Sequence, residues 1–483
     1  MEDIRGLEPK ALWQFFYDLT QIPRPSGFMK AVQAYMLDFG KKHGLETKQD
    51  EAGNILIRRA AAPGMEHKPA LVLQAHLDMV PQKNSEVIHD FQTDPIQTTI
   101  DGEWVKAKQT TLGSDNGIGV AAIMAVLTDE TIQTGVIEGL FTVDEETGMY
   151  GAFGLKPDFF DGRVLLNLDS EDEGELFVGC AGGIDVTATF RYSRLDAVPE
   201  GHVALRLDVK GLKGGHSGVD IHLGRANANK VLFLLLKDAV AHRGVRLASF
   251  EGGTLRNAIP REAHCVLTLP KTELESLTSS IAIAQQAWRE AYKGIERDFS
   301  FTLQTVDMPE GVLPAMLQDD VIHSIVSVHD GVYRTIPEMP DVVETSSNLA
   351  ICVSEAGCVR CSLLLRSSSE FMKEQLVTAI QSSFALAGAK VETSGAYPGW
   401  QPNLQSPVMQ VASRAYELLY NKTPRINVIH AGLECGIIQK AVGAMDMISF
   451  GPSISFPHSP DEKVHILSVA RFWTHLKKTI ELM

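Results

Sequence analysis

The chain comprises 483 residues, of which 44% are hydrophobic and 22% charged, and its formal net charge is -16. This length exceeds what a single hydrophobic core usually serves, so two or three domains are expected. The acidic balance argues against a nucleic-acid partner, which requires a basic face, and no apolar run approaches the roughly 20 residues that span a bilayer. The N-terminal stretch "MEDIRGLEPKALWQFF" lacks a signal-peptide core, so we expect a cytoplasmic protein with no membrane partner.

Helix-like and strand-like segments alternate over the first 180 residues. Apolar periodicity predicts helices at 11–19, 29–44 and 117–129, and buried strands at 69–75, 135–143 and 163–169. The final 80 residues repeat this style, with predicted helices at 406–421, 432–442 and 465–482 and strands at 425–430 and 444–450. Such alternation favours an α/β sandwich with a parallel or mixed sheet.

The middle of the chain has a different pattern. From about Asp185 to Glu392, alternating strands such as "HVALRLDVKGL" and "EAHCVLTLP" are separated by helices such as "ANKVLFLLLKDAVAH". This pattern favours an α+β domain with an antiparallel sheet. The glycine-rich stretches "GCAGG" and "TSGAYPGWQPN" flank it and suit hinges. We therefore predict an α/β domain in two parts, 1–184 and 399–483, interrupted by an inserted domain at 185–398.

The cysteines predict structural thiols. Six are scattered through the chain: Cys180, Cys265, Cys352, Cys358, Cys361 and Cys435. They are too sparse for a disulfide scaffold in a chain this long. Cys358 and Cys361 form a lone CxxC, and a zinc ribbon needs a second pair.

Titratable side chains occur where several predicted strands end. "LVLQAHLDMV" carries His76 and Asp78 two residues apart, on one face of a strand, so the carboxylate can fix the tautomer of a metal-bound imidazole. Asp115 lies at the turn before a helix, Asp169 ends "LLNLD", and His458 follows "MDMISFG". In open α/β sheets, binding sites assemble at this carboxyl edge.

Three consecutive acids, Asp144, Glu145 and Glu146, follow the strand "GLFTV". Adjacent carboxylates repel one another, so either this run is a solvated turn or a positive group holds it. Each candidate also has an ordinary interpretation: a hydrogen-bonded histidine at His76, a turn or N-cap at Asp115, and a solvated acidic loop at Asp169. Taken together, two histidines and several carboxylates form a ligand set suited to zinc, with manganese or cobalt also accepted.

The order HxD, D, EE, D and a distant H resembles the co-catalytic di-zinc metallopeptidases, a family that includes carnosinases, aminoacylases and carboxypeptidase G-type enzymes. The resemblance covers essentially the whole chain, including an inserted "lid" domain. Within the family, "AHLDMVPQK", "LGSDNGIG", "DEETGMYGA", "KGGHSG", "HAGLECG" and "PHSPDEKVH" look most like the bacterial aminoacyl-histidine dipeptidase branch, also called peptidase D.

The resemblance implies two zinc ions per subunit, with cobalt or manganese as substitutes. It implies metal ligands at five positions: His76, Asp115, Glu146, Asp169 and His458. Asp115 would bridge the ions, His76 and Asp169 would complete one site, and Glu146 with His458 the other. Glu145 would be the general base and Asp78 the partner of His76, whereas Asp144 is interpreted as structural.

Four further residues receive roles from the resemblance. His216, a turn histidine on spacing alone, would be a lid residue that stabilises the oxyanion. Asn257 would contact substrate. Arg366 would clamp the terminal carboxylate of the substrate, although its surroundings depart from the usual family pattern. Glu434 opens a predicted helix and is either a first-turn acid or a group that recognises the substrate amine.

The implied function is a dipeptidase for short peptides with a carboxy-terminal histidine, β-alanyl-histidine (carnosine) among them. No residue identified from spacing accounts for that preference. A general dipeptidase and an N-acyl amino-acid deacylase of the same fold are alternatives, and a non-catalytic binding homologue is a remote one. We expect a homodimer through the lid, but an insertion this long could instead supply its own second half and leave a monomer.

Overall fold

The computed structural model describes residues 3–483, which form two compact units. Unit 1 comprises the chain up to Cys180 together with Trp400–Val428 and Leu433–Met483, and unit 2 comprises Ala181–Gly399 and Ile429–Gly432. The short stretch Ile429–Gly432, assigned to the α/β domain on sequence, thus clusters with unit 2.

The secondary-structure elements are numbered along the whole chain. The first part of unit 1 contains α1 (Lys10–Thr20), α2 (Lys30–Lys42), β1 (Glu46–Gln49), β2 (Ile55–Arg59), β3 (Leu71–His76), β4 (Thr98–Asp101), β5 (Trp104–Ala107), α3 (Ser114–Thr128), β6 (Ile137–Thr142), α4 (Tyr150–Gly154), β7 (Val164–Asn167) and β8 (Glu175–Cys180). Unit 2 contains β9 (Gly182–Arg191), β10 (His202–Lys210), β11 (Gly215–His216), α5 (Ala228–Arg243), β12 (Arg246–Gly252), β13 (Ala258–Ile259), β14 (Ala263–Pro270), α6 (Leu274–Ala291), β15 (Ser300–Thr305), α7 (Ala315–Ser327), β16 (Gly331–Ile336), β17 (Met339–Glu355), β18 (Cys358–Ser367), α8 (Glu370–Leu386) and β19 (Lys390–Tyr397). The rest of unit 1 contains α9 (Pro407–Tyr420), β20 (Arg425–Ile429, its last residue in unit 2), α10 (Glu434–Val442), β21 (Asp446–Ser449), β22 (Ile454–Ser455), β23 (Lys463–His465) and α11 (Ile466–Leu482).

A mixed sheet forms the centre of unit 1. Its strand order is β1-β2-β6-β3-β7-β21-β8-β20. The pairs β6–β3, β3–β7 and β7–β21 are parallel, whereas β1–β2, β2–β6 and β21–β8 are antiparallel. A separate antiparallel sheet has the order β22-β23-β5-β4. The four parallel strands therefore have their carboxyl ends at one edge, and the loops after them can converge there.

Helix α3 anchors the core of unit 1. Its residues from Asn116 to Leu127 are all buried, and it packs on β3 and β6 while α1 and α11 pack against it. A helix that is apolar on every side requires such burial. It therefore fixes the position of its own N-terminal end, where Asp115 lies.

Unit 2 has a nine-stranded sheet whose observed pairs are all antiparallel, as predicted, in the order β15-β10-β14-β12-β17-β18-β9-β19, with β16 on β17. Two βαββαβ halves make up this sheet. The first half is β10-α5-β12-β14-α6-β15, and the second is β9-α7-β17-β18-α8-β19. The two halves have the same strand order and meet at β12 and β17, so the same topology occurs twice in the sheet. In the sequence, the whole first half is inserted between β9 and α7 of the second half.

The pairing between the halves of unit 2 is short. Glu251 pairs with Val353 and Gly252 with Cys352. The Ser354 hydroxyl extends the contact, since it accepts the Phe250 N–H at 2.8 Å and donates to the Phe250 carbonyl at 3.2 Å. One buried apolar core between the sheet and helices α5 to α8 then spans both halves.

The fold-class prediction is confirmed: an α/β unit is interrupted by an α+β unit. All six cysteines are free thiols and five of them are buried, as expected for structural thiols. Over residues 3–483, none of the helices combines the length and the apolar character that crossing a membrane requires.

Candidate active site

Five side chains with metal-binding chemistry come together at the carboxyl edge of the parallel strands in unit 1. His76 ends β3, Glu146 follows β6, Asp169 follows β7 and His458 lies in the segment after β21. Asp115 lies at the start of α3, where its backbone is extended rather than helical. The sheet topology alone therefore brings together residues that are far apart in the sequence.

Asp115 joins two groups of these side chains. His76 Nε2 lies 3.1 Å from Asp115 Oδ1 and 3.3 Å from Asp169 Oδ1. His458 Nε2 lies 3.2 Å from Asp115 Oδ2 and 3.0 Å from Glu146 Oε2. In each group the candidate ligand atoms lie within 4.8 Å of one another. One oxygen of Asp115 thus faces each group, as a bridging carboxylate would.

The pKa values indicate how strongly this cluster attracts positive charge. Hydrogen bonds to Asp115 and Glu146 raise the pKa of His458 to about 11. Burial raises the pKa of Glu146, and its Oε1 is buried without a hydrogen-bond partner among the described residues. A divalent cation would satisfy that oxygen and offset the repulsion between the acids. Two imidazoles and three carboxylates also match the donors that zinc, cobalt and manganese accept, so the site fits metal ions.

Asp78 holds the imidazole and the paired glutamates in place. Its carboxylate is fully buried. Oδ1 lies 3.4 Å from His76 Nδ1 and accepts the Glu145 N–H at 3.0 Å. Oδ2 accepts the Glu146 N–H at 3.2 Å and the Ser26 hydroxyl at 2.8 Å. The Asp78 main-chain carbonyl, 3.2 Å from His76 Nδ1, and the Asp78 carboxylate together orient His76 so that Nε2 faces Asp115. The carboxylate also fixes the turn that presents both glutamates.

Glu145 and Asp144 have different surroundings. A carboxylate oxygen of Glu145 lies within 4.8 Å of ligand atoms of His76 and Glu146, and burial raises the pKa of Glu145 well above its usual value. Asp144 has a left-handed backbone with φ 52°, and its Oδ1 accepts the Gly27 N–H at 2.6 Å. Asp144, the first acid of the run, thus connects the strand-end turn to the loop around Gly27.

A row of buried polar side chains lies beneath the candidate ligands. Gln74, Asn167 and Ser449 occupy aligned positions on β3, β7 and β21. The Asn167 amide donates to Gln74, and the Ser449 hydroxyl donates to Asn167. Because His76 and Asp169 lie two residues beyond Gln74 and Asn167, this row forms the layer of side chains directly beneath the candidate ligands.

Glu434 lies at one end of this row. Its carboxylate is fully buried, and its Oε2 accepts the Gln74 amide at 2.7 Å and the Thr142 hydroxyl at 2.6 Å. Burial raises the pKa of Glu434 to about 8. The side chain is therefore an interior group at the start of α10, and its recognition of a substrate amine stays a prediction.

Unit 2 contains the other predicted residues, with Arg366 and His216 in contact. The buried Arg366 guanidinium donates to the Tyr397 hydroxyl at 3.0 Å and the Ser217 hydroxyl at 3.3 Å, and lies 3.5 Å from His216 Nε2. Burial, with a contribution from Arg366, lowers the pKa of His216 to about 4. His216 Nδ1 accepts the Val219 N–H at 3.0 Å, which leaves Nε2 as the protonated nitrogen of the neutral ring.

Asn257 lies next to His216 through the backbone. Its carbonyl accepts the Ser217 N–H at 2.8 Å, and the flanking residue Ala258 pairs with His216 in the β11–β13 ladder. Asn257 itself is exposed. The structure thus groups His216, Asn257 and Arg366 within unit 2 and groups the metal-ligand candidates within unit 1.

His430 and the polar row were not predicted from the sequence. His430 clusters with unit 2, its Nε2 lies 2.7 Å from the Ser346 hydroxyl, and burial beside Arg366 lowers its pKa to about 3. Ser346 is the cross-strand partner of Arg366. The polar row had a usable signal, since Gln74 and Asn167 interrupt otherwise apolar strands two residues before a candidate ligand. For His430 no such signal exists, because its contacts are made across the fold.

Comparison with known proteins identifies the family of this fold and site. The sequence profile of "Peptidase family M20/M25/M40" matches residues 72–482. The chain belongs to this family. The prediction of a peptide-bond hydrolase related to the di-zinc peptidases is therefore confirmed, and M20 peptidases as a family depend on metal ions.

Individual relatives of this M20 peptidase agree with that assignment. A protein named cytosol non-specific dipeptidase from Escherichia coli (strain K12) is 45% identical over 481 residues, covering 100% of this chain and 99% of the relative. The crystal structure of aminoacylhistidine dipeptidase from Vibrio alginolyticus is 45% identical with a TM-score of 0.92, covering 99% of this chain and 98% of that one. Aminopeptidase PepT from Bacillus cereus ATCC 10987, at 17% identity, a TM-score of 0.59 and 99% coverage of both chains, shares the fold.

Proposed function

We propose that this M20 peptidase is a metal-dependent dipeptidase, with peptides that end in histidine among its substrates. The observation that carries the proposal is the sharing of Asp115 between two groups of ligand atoms, each with one imidazole and a further carboxylate. Dipeptidase activity is also supported by the names of the two relatives that are 45% identical over nearly the whole chain.

Five residues would hold two divalent cations. His76 and Asp169 would serve one ion, Glu146 and His458 would serve the other, and Asp115 would be shared between them. When bound, such a pair of cations would supply polarisation of the scissile carbonyl and a lower pKa of water. We propose zinc as the native metal, with cobalt or manganese able to replace it.

Glu145 is the proposed general base. Burial raises its pKa, which strengthens Glu145 as a group that accepts a proton from water and later returns it to the leaving amine. The Asp78 carboxylate accepts the backbone N–H of Glu145 and so keeps the Glu145 carboxylate beside the reacting water. Asp78 is thus a positioning residue for both Glu145 and His76.

Arg366 and His216 are proposed to recognise substrate. Within residues 3–483, Arg366 forms no salt bridge with a carboxylate, and its guanidinium donates to the hydroxyl groups of Ser217 and Tyr397. A buried guanidinium with neutral partners favours an anion, and the terminal carboxylate of a dipeptide matches its planar donors. His216 Nε2–H can donate to the oxyanion, and Asn257 would contribute a further polar contact to the substrate.

Substrate breadth separates two versions of the proposal. The Vibrio alginolyticus relative is named for aminoacyl-histidine substrates, whereas the Escherichia coli relative is named non-specific. We favour a dipeptidase that accepts carnosine and other Xaa-His peptides within a broader range. An N-acyl amino-acid deacylase is the alternative within the family. We further propose a cytoplasmic location and a homodimer that associates through unit 2.

A substrate panel with metal control tests these proposals. Protein stripped with chelator should lose activity and regain it on addition of zinc, cobalt or manganese. Unblocked dipeptides, including carnosine, should be cleaved, whereas their N-acetylated forms and tripeptides should be cleaved far more slowly. Faster turnover of acetylated amino acids than of dipeptides would instead establish the deacylase alternative, and activity that survives full metal removal would refute the metal-dependent mechanism.

A further inference from the structure

The buried carboxylate of Glu462 accepts hydrogen bonds from the loop that precedes Asp115. Its side chain is 2% exposed. Oε2 accepts the N–H groups of Leu112 at 2.8 Å and Gly113 at 3.1 Å. Oε1 accepts the Ser114 N–H at 2.7 Å and the Ser114 hydroxyl at 2.6 Å, and lies 3.4 Å from the Asp115 nitrogen. Both oxygens are thus saturated by donors, and the carboxylate has no capacity left for a metal ion.

Arg24 holds the same loop from another direction. Its buried guanidinium donates to the Leu77 carbonyl at 2.9 Å, to the Asp78 carbonyl at 3.0 Å and to the Gly113 carbonyl. A Cβ atom at Gly113 would lie 2.6 Å from Arg24 Nη2, and Gly113 has a left-handed φ of 70°. Glycine is therefore required at position 113 both for the turn and for the approach of Arg24.

These two side chains join the three segments that carry most of the candidate ligands. Glu462 lies on the segment that carries His458 and binds the loop that carries Asp115. Arg24 joins that loop to the carbonyls that follow His76. Arg24 and Glu462 are also close enough to interact electrostatically, so two buried charges of opposite sign flank the Asp115 loop.

We propose that Glu462, with Arg24 as its counter-charge, is a positioning residue that sets the spacing between Asp115 and His458 and thereby the affinity for the ion held by Glu146 and His458. The inference rests on the proposed metal-dependent function. Outer partners of this kind typically change metal affinity or activity by about 10- to 100-fold when altered. Glu462 contacts the Asp115 loop directly and lies on the segment of His458, whereas it reaches the His76 segment only through Arg24, so the other ion depends on it less.

Glutamine is the informative replacement at position 462. It preserves the shape of the side chain but substitutes an amide NH₂ for one oxygen, and every backbone group around that position is a donor. Two donors would then face the amide without an acceptor. The loop and the His458 segment should consequently separate locally while the remainder of unit 1 keeps its packing.

The test is a stepwise titration of metal-free protein with zinc against a chromophoric chelator, together with cobalt absorption spectra. Glu462→Gln should lower the affinity for the ion held by Glu146 and His458 (the second ion) by about 10- to 100-fold. It should change the affinity for the ion held by His76 and Asp169 (the first ion) by less than about threefold, and it should alter the cobalt spectrum of the second ion's site. Asp461→Asn, at the exposed neighbouring acid, is the matched control and should bind both ions as the unaltered protein does. Ser114→Ala removes one donor to Glu462. It should also lower the affinity for the second ion more than that for the first, but by a smaller factor than Glu462→Gln does, so the test remains available if Glu462→Gln does not fold.

Two results overturn the inference. If Glu462→Gln or Ser114→Ala bound both ions with unchanged affinity and spectra, a positioning role for Glu462 would be excluded. Equal weakening of both ions, accompanied by a lower melting temperature of the metal-free protein, would indicate a purely structural role. If the unaltered protein itself bound fewer than two ions, the proposed metal-dependent function would fail instead, so the two failures are distinguishable.

Discussion

Replacement of Asp78 by asparagine is the most direct test of how the candidate metal ligands are held. The Asp78 carboxylate faces four donors: the His76 ring, the N–H groups of Glu145 and Glu146, and the Ser26 hydroxyl. Asparagine keeps the shape but offers only one oxygen. The amide NH₂ is best accommodated on the Oδ2 side, because the Ser26 hydroxyl can rotate and accept from it.

The size of the effect follows from that geometry. The Glu146 N–H would remain unpaired, and an unsatisfied buried donor costs about 1–3 kcal/mol. We therefore expect Asp78→Asn to lower the free energy of unfolding of metal-free protein by about 1–3 kcal/mol. Loss of the negative charge beside His76 should also weaken metal binding by about 10- to 100-fold.

Urea denaturation of metal-free protein and zinc competition with a chelator measure the two effects separately. Ser26→Ala is the matched control: it removes one donor to Oδ2 while leaving the charge, so stability should fall by about 1 kcal/mol or less and metal affinity should change little. If Asp78→Asn binds zinc as tightly as the unaltered protein, then the Asp78 carboxylate does not orient His76 and the reasoning from its side-chain contacts is wrong.

Three further predictions follow from the site. Glu145→Gln should keep both metal ions by elemental analysis but reduce kcat/KM by about 10²- to 10⁴-fold, the usual contribution of a general base; unchanged turnover would exclude Glu145 from that role. Arg366→Met should raise KM for free dipeptides but have little effect on the same peptides with amidated carboxyl termini, and an equal loss for both would contradict carboxylate recognition. His458, with a pKa of about 11, carries a proton at neutral pH in metal-free protein, so zinc binding should release protons and become weaker as the pH falls. Calorimetry in buffers of different ionisation enthalpy measures the proton release. Binding enthalpies that do not vary with the buffer would contradict this prediction.

The sequence predicted the fold class and the family because both depend on local patterns. Apolar periods of two and 3.6 residues located the strands and helices. Since parallel strands end at a common edge, the predicted topology also indicated which side chains would meet. Their positions grouped His76, Asp115, Asp169 and His458 with the adjacent glutamates as candidate ligands, whereas only the resemblance to the di-zinc peptidases singled out Glu146 as a ligand and Glu145 as the base.

Contacts between distant segments could not be predicted in the same way. The acceptors of Arg24 and the donors to Glu462 lie far from them in the sequence, so no spacing rule relates them. Glu434 looked like an ordinary first-turn acid, because its burial depends on Gln74 and Thr142 from other strands. The repeated topology of unit 2 was not predicted from the sequence, because one half is inserted into the other and the repeated elements do not follow one another at a fixed period.

That nesting has a consequence for how the chain folds. The inner half, β10 to β15, is contiguous in sequence and can form its sheet from nearby segments. Strand β9 instead pairs with β18 and β19, which lie beyond the whole inner half, and closing so long a loop slows folding. During synthesis the inner half is therefore expected to fold first, while β9 stays without its partner strands until the outer half has been made.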